Sequence, residues 1–254
     1  MLKAVLILVL LILIYCLTPT FYYLYFRKPP FKLATNEKRV MLSFDDGPDP
    51  RYTGRLLDIL KANNIHATFF VVAEKAYKNP DLIRRIIDEG HLVGLHSLEH
   101  RDAWCESPAY QKRDIESGLE ILKELGCDVS FYRAPWGHLN LTSLILAKKY
   151  GLKIILWSVM AQDWEKNSTA LRVLGRLTKR TTNGSVLCLH DSGCGKAAAE
   201  GAPAHTIEAV SLFLPAMLNA GYRFVFPDSG NAVHKRQSKD IFGHGTATGG
   251  RTLL

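Results

Sequence analysis

Apolar positions along the chain change their pattern three times. Residues 4–17 are an almost unbroken run of Leu, Ile and Val, and Phe21, Tyr22, Tyr23, Tyr25 and Phe26 follow it before Arg27 and Lys28. A helix needs about 20 apolar residues to cross the hydrocarbon of a bilayer, and Tyr is enriched where the chain meets the headgroups. Residues 1–28 therefore predict a transmembrane helix, kinked near Pro19. Residues 29–37, with Pro29 and Pro30, predict a linker. Between 38 and 227, β-branched and aromatic runs alternate with helical periodicity. Strands are predicted over 40–44, 67–72, 91–95, 131–133, 153–158, 185–190 and 223–226. Helices are predicted over 52–63, 80–89, 108–125, 142–149, 169–181 and 205–220, several with a Gly at the expected stop. Such alternation implies an α/β fold with a parallel sheet. No GxGxxG opens the first helix, so a closed or nearly closed (β/α) barrel is preferred to an open doubly wound sheet. After Pro227 the chain turns rich in Gly, Ser, Thr and Lys, and 228–254 predicts a poorly ordered tail.

Composition narrows this picture. The chain has 254 residues, and setting the two ends aside leaves roughly 190 for one compact domain. A net charge of +8 concentrates any polyanion near the surface and names none of them. No arginine-rich helix, zinc-finger spacing or aromatic ribonucleoprotein pattern accompanies it, so nucleic acid is not an expected partner. Cys16, Cys105, Cys127, Cys188 and Cys194 are odd in number and contain no CxxC, against both a disulfide framework and a cysteine-built zinc site. Cys188, in an apolar run, and Cys194, in a Gly-rich loop, both read as inert. No small-residue cleavage site follows Leu17, and bulky Tyr15 before Cys16 is unlike a lipoprotein signal, so the N-terminal helix is expected to be a retained anchor.

Five polar clusters stand at the ends of predicted strands, where a parallel barrel keeps its chemistry. The first, Ser43-Phe44-Asp45-Asp46-Gly47-Pro48, sends two adjacent carboxylates out of a strand. In extended backbone they would point to opposite sides, one toward a metal and one toward substrate. The second is His96-Ser97-Leu98-Glu99-His100, whose imidazoles would converge on one ion if the segment coiled into a helical turn, with Asp46 as third ligand. Two His and a carboxylate with an open position suit Zn2+ or another first-row divalent ion. The third, Arg133-Ala134-Pro135-Trp136-Gly137, offers a guanidinium to pair bidentately with a carboxylate. The fourth sets Asp163 between Trp157 and Trp164, aromatics of the kind that stack on sugars. The fifth, Leu187-Cys188-Leu189-His190-Asp191, delivers a His that is either a further metal ligand or a general acid.

These clusters resemble, in order, the sequence blocks of the polysaccharide deacetylases, the NodB homology domain of carbohydrate esterase family four, over about residues 38–226. Phe44-Asp45-Asp46-Gly47-Pro48 and His96-Ser97-Leu98-Glu99-His100 are its most specific blocks. The resemblance implies a distorted (β/α) barrel of seven or eight strands. It implies Asp45 as general base, Asp46, His96 and His100 as metal ligands, Arg133 orienting the base, and Asp163 tuning His190 as general acid. It also implies Trp157 and Leu189 around the acetyl methyl, and Trp136 donating its amide to the oxyanion. The cofactor it implies is a divalent ion, Zn2+ first and otherwise Co2+, Ni2+ or Mn2+. Two departures stand out. Ala134 and Trp136 replace a Pro and a Tyr common in the third block, and Met160 stands where the fourth often has an acidic residue. The stretch 193–202 is longer than expected and reads as a lid or a loose loop.

The expected function is metal-dependent N-deacetylation of a polysaccharide containing N-acetylglucosamine, peptidoglycan or chitooligosaccharide-like, by a monomer. The alternatives are a hydrolase of small amides on the same fold and a catalytically silent, membrane-tethered sugar-binding protein. The positive-inside rule alone would put the domain in the cytoplasm, since Arg27, Lys28 and Lys32 outnumber Lys3. An extracytoplasmic polymer argues for the opposite face, and that orientation is the expectation carried forward.

Overall fold

The structure, a computed structural model, describes residues 1–193 and 199–228. Cys194, part of the 193–202 stretch and nearly all of the C-terminal tail lie outside the described residues. The strands are β1 (Lys38–Asp45), β2 (Thr68–Val71), β3 (Leu92–Leu95), β4 (Phe131–Tyr132), β5 (Lys153–Ile154), β6 (Val159–Met160), β7 (Val186–His190) and β8 (Tyr222–Phe224). They pair in the order β5-β4-β3-β2-β1-β7-β6, with β8 on the start of β1, and every pairing is parallel. The helices are α1 (Leu2–Ile12), α2 (Thr18–Tyr25), α3 (Thr53–Ala62), α4 (Ala73–Lys78), α5 (Pro80–Asp88), α6 (Pro108–Glu124), α7 (Leu141–Lys149), α8 (Ala170–Arg180) and α9 (Ala202–Asn219). A π-helical stretch, Leu13–Leu17, joins α1 to α2.

Period-two alternation sorts the strand residues into two cores. Leu42 and Phe44, Phe69 and Val71, and Leu187 and Leu189 pack outward among the helices. Met41, Phe70, Leu92, Phe131, Ile155 and Val186 fill the interior of the curled sheet, joined by Phe31. The stretch 29–37, expected to be only a linker, thus contributes a buried side chain to the barrel. Gly94 belongs to the inward set. A Cβ there would lie 2.6 Å from the Phe70 ring, so β3 approaches β2 closely only because that position has no side chain.

Two local expectations change. The run at 153–158 is not one strand. Ile155 N–H still bonds Tyr132 O at 3.0 Å, whereas Ser158 N–H bonds Val186 O at 3.0 Å. The chain leaves β4 and joins β7 within a few residues, so it bridges the two edges of the sheet. The apolar run gave no sign of this, because both edges ask for the same buried residues. Helix α4 was missed, being too short for a 3.6-residue period to show. Elsewhere the ends follow local chemistry: Asn140 and Ser143 form a capping box at the start of α7, and Thr169 caps α8.

Substituting Gly94→Ala should lower unfolding free energy by about 1–3 kcal/mol through overpacking, measured by chemical denaturation. Combining it with Phe70→Leu should restore part of the loss.

Candidate active site

The inward-facing residues of β1, β3, β4 and β7 converge at the C-terminal end of the barrel. Asp45 is the last residue of β1 and is buried. Its Oδ1 accepts from Arg133 at 2.6 Å, and its Oδ2 accepts from the Cys188 thiol at 3.3 Å. Arg133 is 0% exposed. Its guanidinium also donates to Ser43 Oγ at 2.9 Å and to Ile155 O at 2.9 Å, and its carbon lies 4.0 Å from the centre of the Phe70 ring. The expected bidentate pair is not formed. One nitrogen of Arg133 reaches Asp45, and the other terminal nitrogen has no hydrogen-bond partner.

Asp46 does not continue the strand. Its φ is 73°, so the carboxylate turns toward the histidines while Asp45 stays in the barrel. Lys75, on α4, holds this turn by donating to Asp46 O at 2.7 Å. Gly47 follows, and a Cβ there would fall 2.3 Å from the Asp191 carboxylate. Asp46 Oδ1 lies 3.2 Å from His96 Nε2 and 3.0 Å from His100 Nε2. The histidines converge through an irregular loop and not the helical turn expected, with φ of 71° at Ser97 and 58° at His100. His96 Nδ1 lies 2.7 Å from Arg133 O. A carbonyl only accepts, so Nδ1 carries a proton and Nε2 is the nitrogen left to face Asp46.

The ligating atoms of Asp46, His96 and His100 all lie within 4.8 Å of one another. Burial opposes ionisation of Asp46, but hydrogen bonds with His100 and His96 and the charge of His190 outweigh it and hold the carboxyl well below its ordinary range. An ionised carboxylate with two imidazole Nε2 atoms is a donor set that fits a borderline divalent cation. A second set of close donors, Asp45, Cys188 and His190, fits poorly. Asp45 is taken by Arg133, and burial pushes the Cys188 thiol well above its ordinary range.

His190 closes the other side. Its Nδ1 and Asp163 Oδ1 are 2.9 Å apart, its N–H donates to Asp163 Oδ2 at 2.8 Å, and Thr206 donates to the same oxygen at 2.8 Å. Burial lowers the imidazole pKa, yet Asp163, Asp46 and Asp45 together raise it from 6.5 to about 10. His190 is an imidazolium at neutral pH, with Nδ1 committed to Asp163 and Nε2 left to donate.

Asp45, Asp46, His96, His100 and His190 line a cavity of about 80 Å3 walled by Trp136, Trp157, Met160 and Trp164. At roughly 30 Å3 per liquid water, that holds a few heavy atoms. Trp136 lies edge-on to His100 at 4.5 Å, and Trp164 lies edge-on to His190 at 5.2 Å. Leu189 is not among the lining residues. It packs in the outer core, fully buried. The inward neighbour of His190 on β7 is Cys188, read from sequence as inert packing, and its contact with Asp45 was missed. Counting back by two from His190 would have found it.

Comparison with known proteins agrees with the fold. The family model described as polysaccharide deacetylase matches residues 32–155. A peptidoglycan-N-acetylglucosamine deacetylase of Bacillus cereus is 31% identical over 197 residues, covering 77% of this chain and 89% of that protein. A chitooligosaccharide deacetylase of Rhizobium leguminosarum bv. trifolii is 30% identical, covering 78% of this chain and 94% of that protein. Among solved structures, a family 4 carbohydrate esterase from Streptomyces lividans in complex with acetate superimposes with a TM-score of 0.68 at 30% identity, covering 79% of this chain and 98% of its own.

Two measurements test the site. His96→Ala should lose stoichiometric Zn2+, read by elemental analysis of purified protein. Asp163→Asn should move the alkaline limb of the pH–rate profile from the region of pH 10 toward 6.5, the ordinary imidazole value. The sign is that of a raised pKa: stability from the His190–Asp163 pair is complete below 6.5 and lost as pH climbs through about 10.

Proposed function

The chain belongs to the polysaccharide deacetylase family, and from that premise we propose that it removes N-acetyl groups from N-acetylglucosamine residues of peptidoglycan. The support for N-deacetylation is the separation of charge around one small pocket. An anionic carboxylate held by Arg133 faces an imidazolium held by Asp163 across a space of acetamide scale. Peptidoglycan is preferred to chitooligosaccharide because an apolar helix, Leu2–Tyr25, is long enough to span a membrane, which suits an enzyme kept beside the wall.

Asp46, His96 and His100 would hold a divalent ion, with Zn2+ favoured by the two imidazoles. When bound it would supply Lewis-acid polarisation of the amide carbonyl and acidify a water. Asp45 is fixed from two sides, by Arg133 and by the Cys188 thiol, so its carboxylate is positioned as the general base that takes the proton of the attacking water. His190 donates its Nε2 proton to the glucosamine nitrogen as the C–N bond breaks, and acetate leaves with the oxygen of water. Asp163 keeps that proton on His190 until the amine forms. The backbone N–H of Trp136 stabilises the oxyanion, and Trp157, Trp164 and Met160 exclude bulk water, which strengthens every charge interaction inside. The wall also sets the orientation: the domain works on the extracytoplasmic side of the membrane, with residues 38–227 as its catalytic unit.

Asp45→Asn should abolish acetate release from peptidoglycan and from chitooligosaccharides while the protein retains its metal. A variant that kept near-normal rates would remove Asp45 from the role of base.

A further inference from the structure

The apolar helix is not a free tether. Its second half is docked on the barrel beside the mouth of the pocket. Cys16, Pro19 and Thr20 are buried. The Thr20 hydroxyl donates to Leu139 O at 3.0 Å and accepts from Leu139 N–H at 2.7 Å, and Tyr15 shares a hydrogen bond with Thr142 at 2.5 Å. Leu139 O also accepts from Trp104, which stacks on His138 at 3.7 Å. Leu139 stands three residues after Trp136 of the pocket wall, so the docked helix is bonded to the segment that carries the rim.

The first half, by contrast, presents Leu6, Ile7, Leu10, Leu11 and Ile14 to the outside. From Leu2 to Ile14 this stretch reaches about 20 Å at about 1.5 Å per residue. The hydrocarbon it must cross is about 30 Å thick. The remaining third has to come from the docked half, and whatever that half is docked against is drawn to the bilayer with it. Its partner there is the start of α7, on which Leu141 and Ile145 are 41% and 66% exposed. They are four residues apart and share one face, with Thr142 and its bond to Tyr15 beside them. Further along the helix Phe21 and Tyr22 are exposed, and Tyr22, Phe26, Arg27 and Lys28 line a cavity of about 500 Å3 against the β5–β6 crossing. Apolar residues, then aromatics, then cations is the order in which a protein meets hydrocarbon and then headgroups.

We propose that the exposed face of α7, carrying Leu141 and Ile145, is embedded in the bilayer surface beside the helix. The pocket therefore opens at the membrane, and its substrate is glycan lying against that membrane. This rests on the reading of the helix as a membrane anchor.

The test uses the full chain with Cys105→Ser and Cys194→Ser, in vesicles of equal parts phosphatidylcholine and phosphatidylglycerol. An environment-sensitive fluorophore is placed at Ile145→Cys or, for reference, at Leu171→Cys, which is 76% exposed on α8. Lipids carrying a shallow nitroxide should quench position 145 several-fold more than position 171. Equal quenching in protein that resists alkaline carbonate extraction would overturn the proposal and keep the anchor. Release by carbonate would overturn both. Protection of position 145 without lipid quenching, abolished by unlabelled chain, would mean that a second copy covers the face, and would also overturn it. The double variant Leu141→Asp with Ile145→Asp should lose several-fold activity on vesicle-tethered glycan and keep its rate on soluble chitooligosaccharide. Equal losses on both substrates would argue against a membrane role.

Discussion

A single buried guanidinium organises the upper half of this barrel. A charge taken out of water costs several kcal/mol unless it is paired, and Arg133, 0% exposed, is compensated by three separate parts of the fold, although one of its terminal nitrogens has no hydrogen-bond partner. Asp45 and Ser43 come from β1, the carbonyl of Ile155 from the segment that bridges the sheet edges, and the Phe70 ring from β2. Its own carbonyl sets the tautomer of His96. The proposed base, one candidate metal ligand and the closure of the barrel therefore depend on the placement of one residue.

The same logic extends around the pocket, where the ionisable groups are held in pairs. Arg133 keeps Asp45 oriented, the two histidines hold Asp46 anionic, and Asp163 holds His190 cationic. In water such groups would share protons freely. Around a space this small, separate partners hold a carboxylate and an imidazolium facing each other a few ångströms apart. That is the condition acid–base hydrolysis of an amide requires.

Much of this was legible in the sequence, for a physical reason. Polar residues at the ends of buried strands are rare, and Asp45, Asp46, His96, Arg133 and His190 each stand at one, so barrel and clusters could be read together. What escaped was the sign of φ. Polarity patterns do not record that Asp46, Ser97 and His100 turn left-handed, so the carboxylates were expected to diverge by alternation and the histidines to share a helical turn. Leu189 was misplaced for the opposite reason: alternation was available on β7 and counts Cys188 inward. The splitting of 153–158 left no trace, because both sheet edges accept the same apolar residues. Docking of the N-terminal helix was marked only by Tyr15 and Thr20, polar atoms within an apolar run, which find partners on the rim.

The left-handed residues have a further consequence. Among the described residues, non-glycine positions with positive φ are Asp46, Ser97, His100, Trp136 and Gln162, together with Asn64 at the end of α3. All but Asn64 lie at or beside the pocket. Such conformations cost on the order of 1–3 kcal/mol each; Asp and His tolerate them better than most residues, but Ser97, Trp136 and Gln162 are not side chains the backbone favours there. Selection for folding alone would replace them with Gly or Asn. A descendant freed from its chemistry should therefore drift first at these positions and gain thermal resistance as it does so, which makes the pocket rim a record of whether a lineage is still under selection to react.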